Sequence, residues 1–318
     1  MLIANEGALA ELKRFGAALA AFQRPPAGAV REALCKVGRF IPVAPREPER
    51  AVVAVDGSCQ TIGTTYPCFL ALIQAVALPL PPVGEPAVGH RLFSPLLPEE
   101  RAVLEAAGGA QPAETAAELR VKALMAELEL TVALEVAGRV RGALTLLDGG
   151  FVHFRARAAA PFARLTEAVA AGAGVLIGVI EEVSSRLLGE AVGDLWPAGH
   201  CPYDREILYG CLEVGEAFVV GPGLSKGEGT GTVFARFGAH PQPVAFDFLR
   251  VQEEAVLAAL GMLRALTPGD GRGVPAPVDL ADRYVRLTAA EVEQLVAAAV
   301  PAALRELLLT AHRTRRAL

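Results

Sequence analysis

Cysteine pairs are missing from this sequence. Five cysteines (Cys35, Cys59, Cys68, Cys201, Cys211) are scattered over 318 residues with no CxxC spacing, which excludes both a disulfide framework and a zinc ribbon. Long apolar runs are missing too. No uncharged stretch reaches the ~18 apolar residues that a membrane-spanning helix needs. The nearest, residues 66–80, contains Pro67, Cys68 and Gln74 and suits a buried strand. The first residues carry Glu6 and Glu11 where a secretory signal would be basic, so the expected location is cytoplasmic, with no membrane partner. There is no excess of positive charge either, with 30 Lys and Arg against 35 Asp and Glu. A nucleic acid would have to be held by local basic residues and metal ions against the net charge of −5. None of the five histidines (His90, His153, His200, His240, His312) forms a triad-like local motif with a Cys or Ser, which argues against a covalent nucleophile.

What is present is a chain that is 53% hydrophobic, enough for a large core and too apolar for disorder. Helical spacing over 3–22 ends at Arg24-Pro25-Pro26, and a second helix is expected near 28–38. Strands 51–56 and 66–80 read as a hairpin. Residues 81–116 are rich in Pro, Gly and Glu and read as an excursion with a short helix near 98–107. A long helix, 114–136, leads to strand 143–148, a short strand 151–154, a helix near 158–170 and the continuous apolar run 174–180. A helix near 203–210, three strands around 217–220, 231–237 and 243–249, and helices 251–266, 288–298 and 300–316 complete the chain. This order predicts an α/β fold with a mixed sheet.

Two stretches stand out. AVVAVDGS (51–58) and RGALTLLDGG (141–150) each carry a β-like apolar run into Asp-Gly. A single Asp-Gly reads as a turn; two after such similar runs place Asp56 and Asp148 together at the carboxyl ends of strands, where open α/β sheets form their sites. Two carboxylates alone would repel and raise one pKa, and Mg²⁺ or Mn²⁺ would relieve that repulsion. Two-ion phosphodiester cleavage calls for three or four carboxylates, and the helix before Asp148 offers Glu127, Glu129 and Glu135, among which periodicity does not choose. Arg155 and Arg157, just after Asp148, are the best candidates for phosphate contacts from DNA. The glycine-rich loop around Lys226 lacks the GxxxxGK[ST] order and is assigned no nucleotide.

In this order and spacing the residues resemble the NurA family, nucleases that partner the HerA DNA-translocating ATPase in end resection. The motifs are AVDGS (54–58), ELELTVAL (127–134) before LLDGG (146–150), GVI (178–180), DREILYGCLEVGE (204–216) and GVPAPVDLADRYVRLT (273–288). The resemblance implies an RNase H-like fold with a five-stranded mixed core sheet and added N- and C-terminal helices. It also implies a Mn²⁺- or Mg²⁺-dependent deoxyribonuclease using two ions, 5′ to 3′ on DNA ends and endonucleolytic on single strands, in double-strand break repair. It further implies a homodimer docked on a HerA-type hexameric ATPase. By position, Asp56, Glu129 and Asp148 are the catalytic metal ligands, with Glu127 in reserve. Asp282 stands where the family commonly has a histidine as the last ligand. Glu181 and Glu182 replace a lysine common after the GVI strand; either is an extra ligand or an acid at the start of the next helix.

The expected layout is an N-terminal helical arm for dimer or partner contacts (1–50), a nuclease core (51–298) with the excursion at 81–116, and a C-terminal helix (299–318). The competing reading, prompted by the missing histidine and lysine, is a catalytically weak adaptor that binds the translocase. A third is another RNase H-like nuclease with a different substrate, such as a Holliday junction or an RNA:DNA hybrid.

Overall fold

The apolar run that begins at Val52 does not stop at Asp56-Gly57 but stays extended to Gly63. In the computed structural model, residues 6–20, 24–63, 65–107, 112–197 and 199–310 are described. Helices α1 (Glu6–Ala20) and α2 (Ala27–Leu34) precede the short strand β1 (Gly38–Pro42). The hairpin β2 (Val52–Gly63) and β3 (Phe69–Leu80) follows, then β4 (Ala87–Phe93), α3 (Pro98–Ala107) and the long α4 (Ala113–Arg139). Next come β5 (Leu144–Asp148), α5 (Phe151–Ala171), β6 (Val175–Ile180) and two short helices, α6 (Gly189–Val192) and α7 (Asp204–Leu208). Strands β7 (Glu216–Val220), β8 (Thr230–Arg236) and β9 (Val244–Leu249) lead to α8 (Glu253–Ala265), α9 (Ala276–Val285), α10 (Ala289–Ala299) and α11 (Ala302–Leu308).

All nine strands join one sheet in the order β1-β7-β8-β9-β6-β5-β2-β3-β4. Five of them form the RNase H-like core: β2, β3 and β4 are an antiparallel meander, while β5 and β6 run parallel to β2. The other four strands widen the sheet on the β6 side through antiparallel pairings.

Both faces of the central strands are covered, which is why those strands read as unbroken apolar runs. Val53, Val55 and Leu147 pack with α4 and α5 residues such as Leu124, Leu130 and Phe154 on one face. Leu144, Leu146 and Ile177 pack with Val256, Leu260 and Val278 of α8 and α9 on the other. Ala54 and Val76 meet Ala281 and Val285 of α9 on that second face. Strand alternation therefore sends Asp56, two residues after Ala54, towards α9.

The expected strand at 151–154 is replaced by the first turn of α5. The aromatic and β-branched residues Phe151, Val152 and Phe154 imitate a strand, but Gly149, at φ +124°, turns the chain straight into a helix. That helix bends at Ala158, just ahead of Pro161. β1, β4 and α9 were not expected. β4 lies inside the 81–116 excursion as an edge strand with mostly exposed side chains, so it carries no apolar alternation to read. At the termini, α1 and α11 fall within the expected helices, whose outer parts, 1–5 with 21–23 and 311–318, lie outside the described residues. Among the described residues no helix is long and apolar enough to cross a membrane.

Candidate active site

Asp56 and Asp148 become neighbours through the parallel pairing of β2 with β5. The register runs from Val52 opposite Leu144 to Val55 opposite Leu147, and each aspartate is the next residue along. Asp148 ends its strand as expected; Asp56 does not, because β2 continues for seven more residues paired with β3. Gly57 is thus not a turn glycine. A Cβ built on it would stand 2.2 Å from Glu129 Oε1. The missing side chain leaves room for the Glu129 carboxylate, arriving from α4, to lie against β2 beside Asp56.

Geometry distinguishes the three helix glutamates. Glu129 is buried, whereas Glu135 is exposed and pairs with Arg139, and Glu127 lies toward Arg120. Asp282 is exposed on α9 and acts electrostatically on both Asp56 and Asp148. Asp279, one helical turn earlier on the same face, also acts on Asp148.

The acids shift one another as crowded carboxylates must. Loss of water, then Asp148 and Asp282, raises Asp56 to about 7 against an opposing hydrogen bond from the Gly57 N–H, 2.7 Å from Oδ1. Burial, with the charges of Asp56 and Asp148, pushes Glu129 well above the usual carboxylate range, while Arg157 pulls it down. Asp148 reaches solvent, yet protein surrounds it closely enough that desolvation, followed by Glu181, Asp282 and Asp279, raises it to about 6.

Arg272 is the cation that opposes this rise in Asp148. Its Nη1 donates to both oxygens of Glu181 at 2.7 and 2.8 Å, and its Nη2 donates to Asp279 at 2.6 Å. Glu181 therefore sits at the site's rim as an ion-pair partner, and Glu182 is turned to Arg205. In metal-free Arg272→Gln, the Asp148 titration followed by carboxyl ¹³C NMR should move upward by about half a unit or more. An unmoved titration would show that Arg272 does not bear on the site.

The donor set suits a divalent metal in kind. It is all carboxylate oxygen, as hard cations prefer, and the acids stay raised even with Arg157 and Arg272 nearby. Among the described residues no three His, Cys, Asp or Glu side chains already stand around one point closely enough to hold an ion. An ion held here would therefore need side-chain rotation, which exposed Asp148 and Asp282 can supply.

The two arginines separate. Arg157 donates to the His153 ring at 2.9 Å and lies near enough to Glu129 to act on it. His153 is neutral, lowered to about 4 by burial and then by Arg157 and Lys122. Arg155 packs over the Phe162 ring and donates to Thr230 Oγ1, so its guanidinium is committed to holding the glycine-rich loop on α5. Lys226 of that loop pairs at 2.9 Å with Asp247, which also accepts from Thr232 and from the Phe151 N–H. Asp247 went unnoticed in the sequence, although a charge in the middle of the apolar strand PVAFDFL was a readable signal. A cavity of about 720 Å³ lies farther along β2, between Thr61 and Phe69 and residues such as Lys122 and Met125 of α4; none of the clustered carboxylates lines it.

The sequence pattern of the NurA domain matches residues 50–287. In structure the chain is similar to the NurA nuclease from Sulfolobus solfataricus, with a TM-score of 0.54 and 15% identity over 96% of this chain and 98% of that one. It is also similar to endonuclease V from Ciona intestinalis in complex with an inosine-containing DNA (TM-score 0.40, 14% identity, 84% and 96% covered). A third likeness is to the catalytic domain of human endonuclease V (TM-score 0.34, 16% identity, 93% and 100% covered). No curated protein matches the chain in sequence. Because the NurA match spans well over half of the chain and takes in Asp56, Glu129, Asp148 and Asp282, the chain belongs to the NurA family.

Proposed function

We propose that this NurA-family nuclease is a metal-dependent deoxyribonuclease, acting 5′ to 3′ at DNA ends and endonucleolytically on single strands. The observation that carries the reading is the convergence of Asp56, Glu129 and Asp148, with Asp282 beside them, from four separate elements. Asp56, Glu129, Asp148 and Asp282 would hold Mn²⁺ or Mg²⁺, two ions in all. When bound, the metal supplies a more acidic water and charge for the leaving oxygen. The protein's part is positional. β2 and β5 fix Asp56 and Asp148 one strand apart, and Gly57 admits Glu129. Arg157 restrains the pKa of Glu129, and Arg272 partly offsets the negative charge that Glu181 and Asp279 bring to the mouth.

The family resemblance further supports action in end resection and double-strand break repair with a HerA-type hexameric ATPase, as a homodimer. The exposed side chains Leu9, Leu12, Phe15 and Leu19 along α1 give the arm of residues 1–50 an apolar face suited to such contacts. The core of 51–298 and the C-terminal helix of 299–318 complete the proposed division.

The test is digestion of 5′- and 3′-labelled linear DNA with Mn²⁺, Mg²⁺ or chelator, with and without the cognate ATPase. Metal-dependent cleavage, and its polarity, are the expected outcome. Inactivity under every condition would leave the adaptor reading in its place.

A further inference from the structure

On the face of the sheet opposite Asp56, at the same strand ends, lies a cavity of about 490 Å³ that the carboxylate chemistry leaves unused. Among its lining residues are Gly150, two residues past Asp148, and Ile180, immediately before Glu181. We propose that this cavity takes one nucleotide of the DNA strand next to the scissile phosphate; this rests on the nuclease reading above.

The walls divide by chemistry. Val152, Ile180 and Leu187 give an apolar side suited to the face of a base, while Lys226, Arg186 and Ser184 give a polar, cationic side suited to a phosphate. Its volume falls in the range of about 300–1,000 Å³ typical of small-ligand sites.

The Lys226–Asp247 pair is the costly part of this construction. Their side chains are 9% and 1% exposed, and a buried ion pair is seldom worth its desolvation for stability alone. Asp247 is satisfied within the protein by Lys226, Thr232 and the Phe151 N–H. An ammonium has three protons to donate; one goes to Asp247, and among the described residues no other acceptor takes the rest. The pair thus holds a lysine rigidly at the cavity wall with donors to spare. Arg186 is oriented differently, its guanidinium lying 4.1 Å from the centre of the Tyr203 ring. No described carboxylate lies within ion-pair distance of it, so its donors too are free for an anion. A side chain at Gly150 would crowd the cavity wall, since a Cβ there would stand 2.9 Å from Ile180 and 3.0 Å from Asp247.

The test is a titration of fluorescein-labelled single-stranded DNA by anisotropy, in chelator and at several salt concentrations, alongside the cleavage assay. Lys226→Ala would strand Asp247 and could unfold the chain, so the variants are Arg186→Gln and Val152→Trp, the first removing a cation and the second filling the cavity from the exposed side of α5. Arg186→Gln should weaken binding about tenfold and lower the slope of log affinity against log salt by about one. Val152→Trp should weaken binding similarly with the slope unchanged. Both variants binding like wild type overturns the pocket. Wild-type binding of the oligonucleotide by both variants, combined with lost binding of a free deoxynucleoside monophosphate, would make this a small-nucleotide site and also overturn the proposal. If the wild type cleaves no DNA, the nuclease reading fails, and the chelator titration still decides whether the cavity holds a strand.

Discussion

Asp56→Asn should abolish DNA cleavage and at the same time raise the melting temperature of the metal-free protein at pH 8. Asp56 is buried and raised from an ordinary value of 3.8 to about 7, so the native state disfavours its charge. The unfolded chain ionises near the ordinary value, and the folded one near 7. Between those two values the native state holds the extra proton, so stability falls as pH rises through this window. Below about pH 4 the penalty is absent; above about pH 7 it is complete, on the order of 4 kcal/mol. Asparagine keeps the oxygen that accepts from the Gly57 N–H and removes the charge. For a chain of this size the gain in Tm should be about 5 °C at pH 8, shrinking to less than half of that at pH 5 and vanishing below about pH 4. Differential scanning calorimetry in chelator at both pH values, paired with the cleavage assay, checks it. A variant that melts below wild type at pH 8, or that still cuts, would refute a crowded catalytic carboxylate at this position. Added Mn²⁺ should reverse the order, stabilising wild type more than the variant, because only wild type retains the full ligand set.

Gly57→Ala should cost activity at least 100-fold while changing stability by no more than about 1 kcal/mol. The new Cβ would fall 2.2 Å from Glu129 Oε1 and 3.0 Å from its Cγ and Cδ. Only the end of a flexible side chain has to move, so the fold survives; the carboxylate does not stay beside Asp56. Glu129→Asp, one methylene shorter, makes room for that Cβ. The double variant therefore separates this account from general damage to β2. If Gly57 serves Glu129, adding Gly57→Ala to Glu129→Asp costs far less than adding it to wild type. Equal losses in both backgrounds would mean that the glycine does something else. Urea unfolding of each variant measures the stability side.

How much of this was legible depends on how each element is buried. β2, β3, β5 and β6 are covered on at least one face along most of their length, so their apolar runs announced them, and Asp56 and Asp148 were found because each breaks such a run. The extent of β2 was hidden, because Asp-Gly resembles a turn and the reason for Gly57 is a side chain more than 70 residues away in sequence. β4 could not be read because its side chains are mostly exposed, and β1 because five residues at a sheet edge carry too little pattern. FVHF deceived by placing strand-favouring residues where a helix begins. Glu129 emerged from a motif, and only the fold separates it from Glu127 and Glu135. Arg272, Asp279 and the Asp247–Lys226 pair are long-range partnerships, which local periodicity does not encode.

The pairing of β2 with β5 ends at Val55 and Leu147, one residue before the two aspartates. Up to that point β2 is flanked on both sides; beyond it, β2 continues with β3 as its remaining sheet partner. The two aspartates thus stand at the point where β2 passes from two sheet neighbours to one. Amide hydrogens of residues 52–55 should exchange with deuterium only through global unfolding, and those beyond Ser58 through cheaper local opening. If that local opening carries the carboxylates out of alignment, activity should be lost on warming a few degrees before calorimetric unfolding, and coincident loss of activity and fold would refute it.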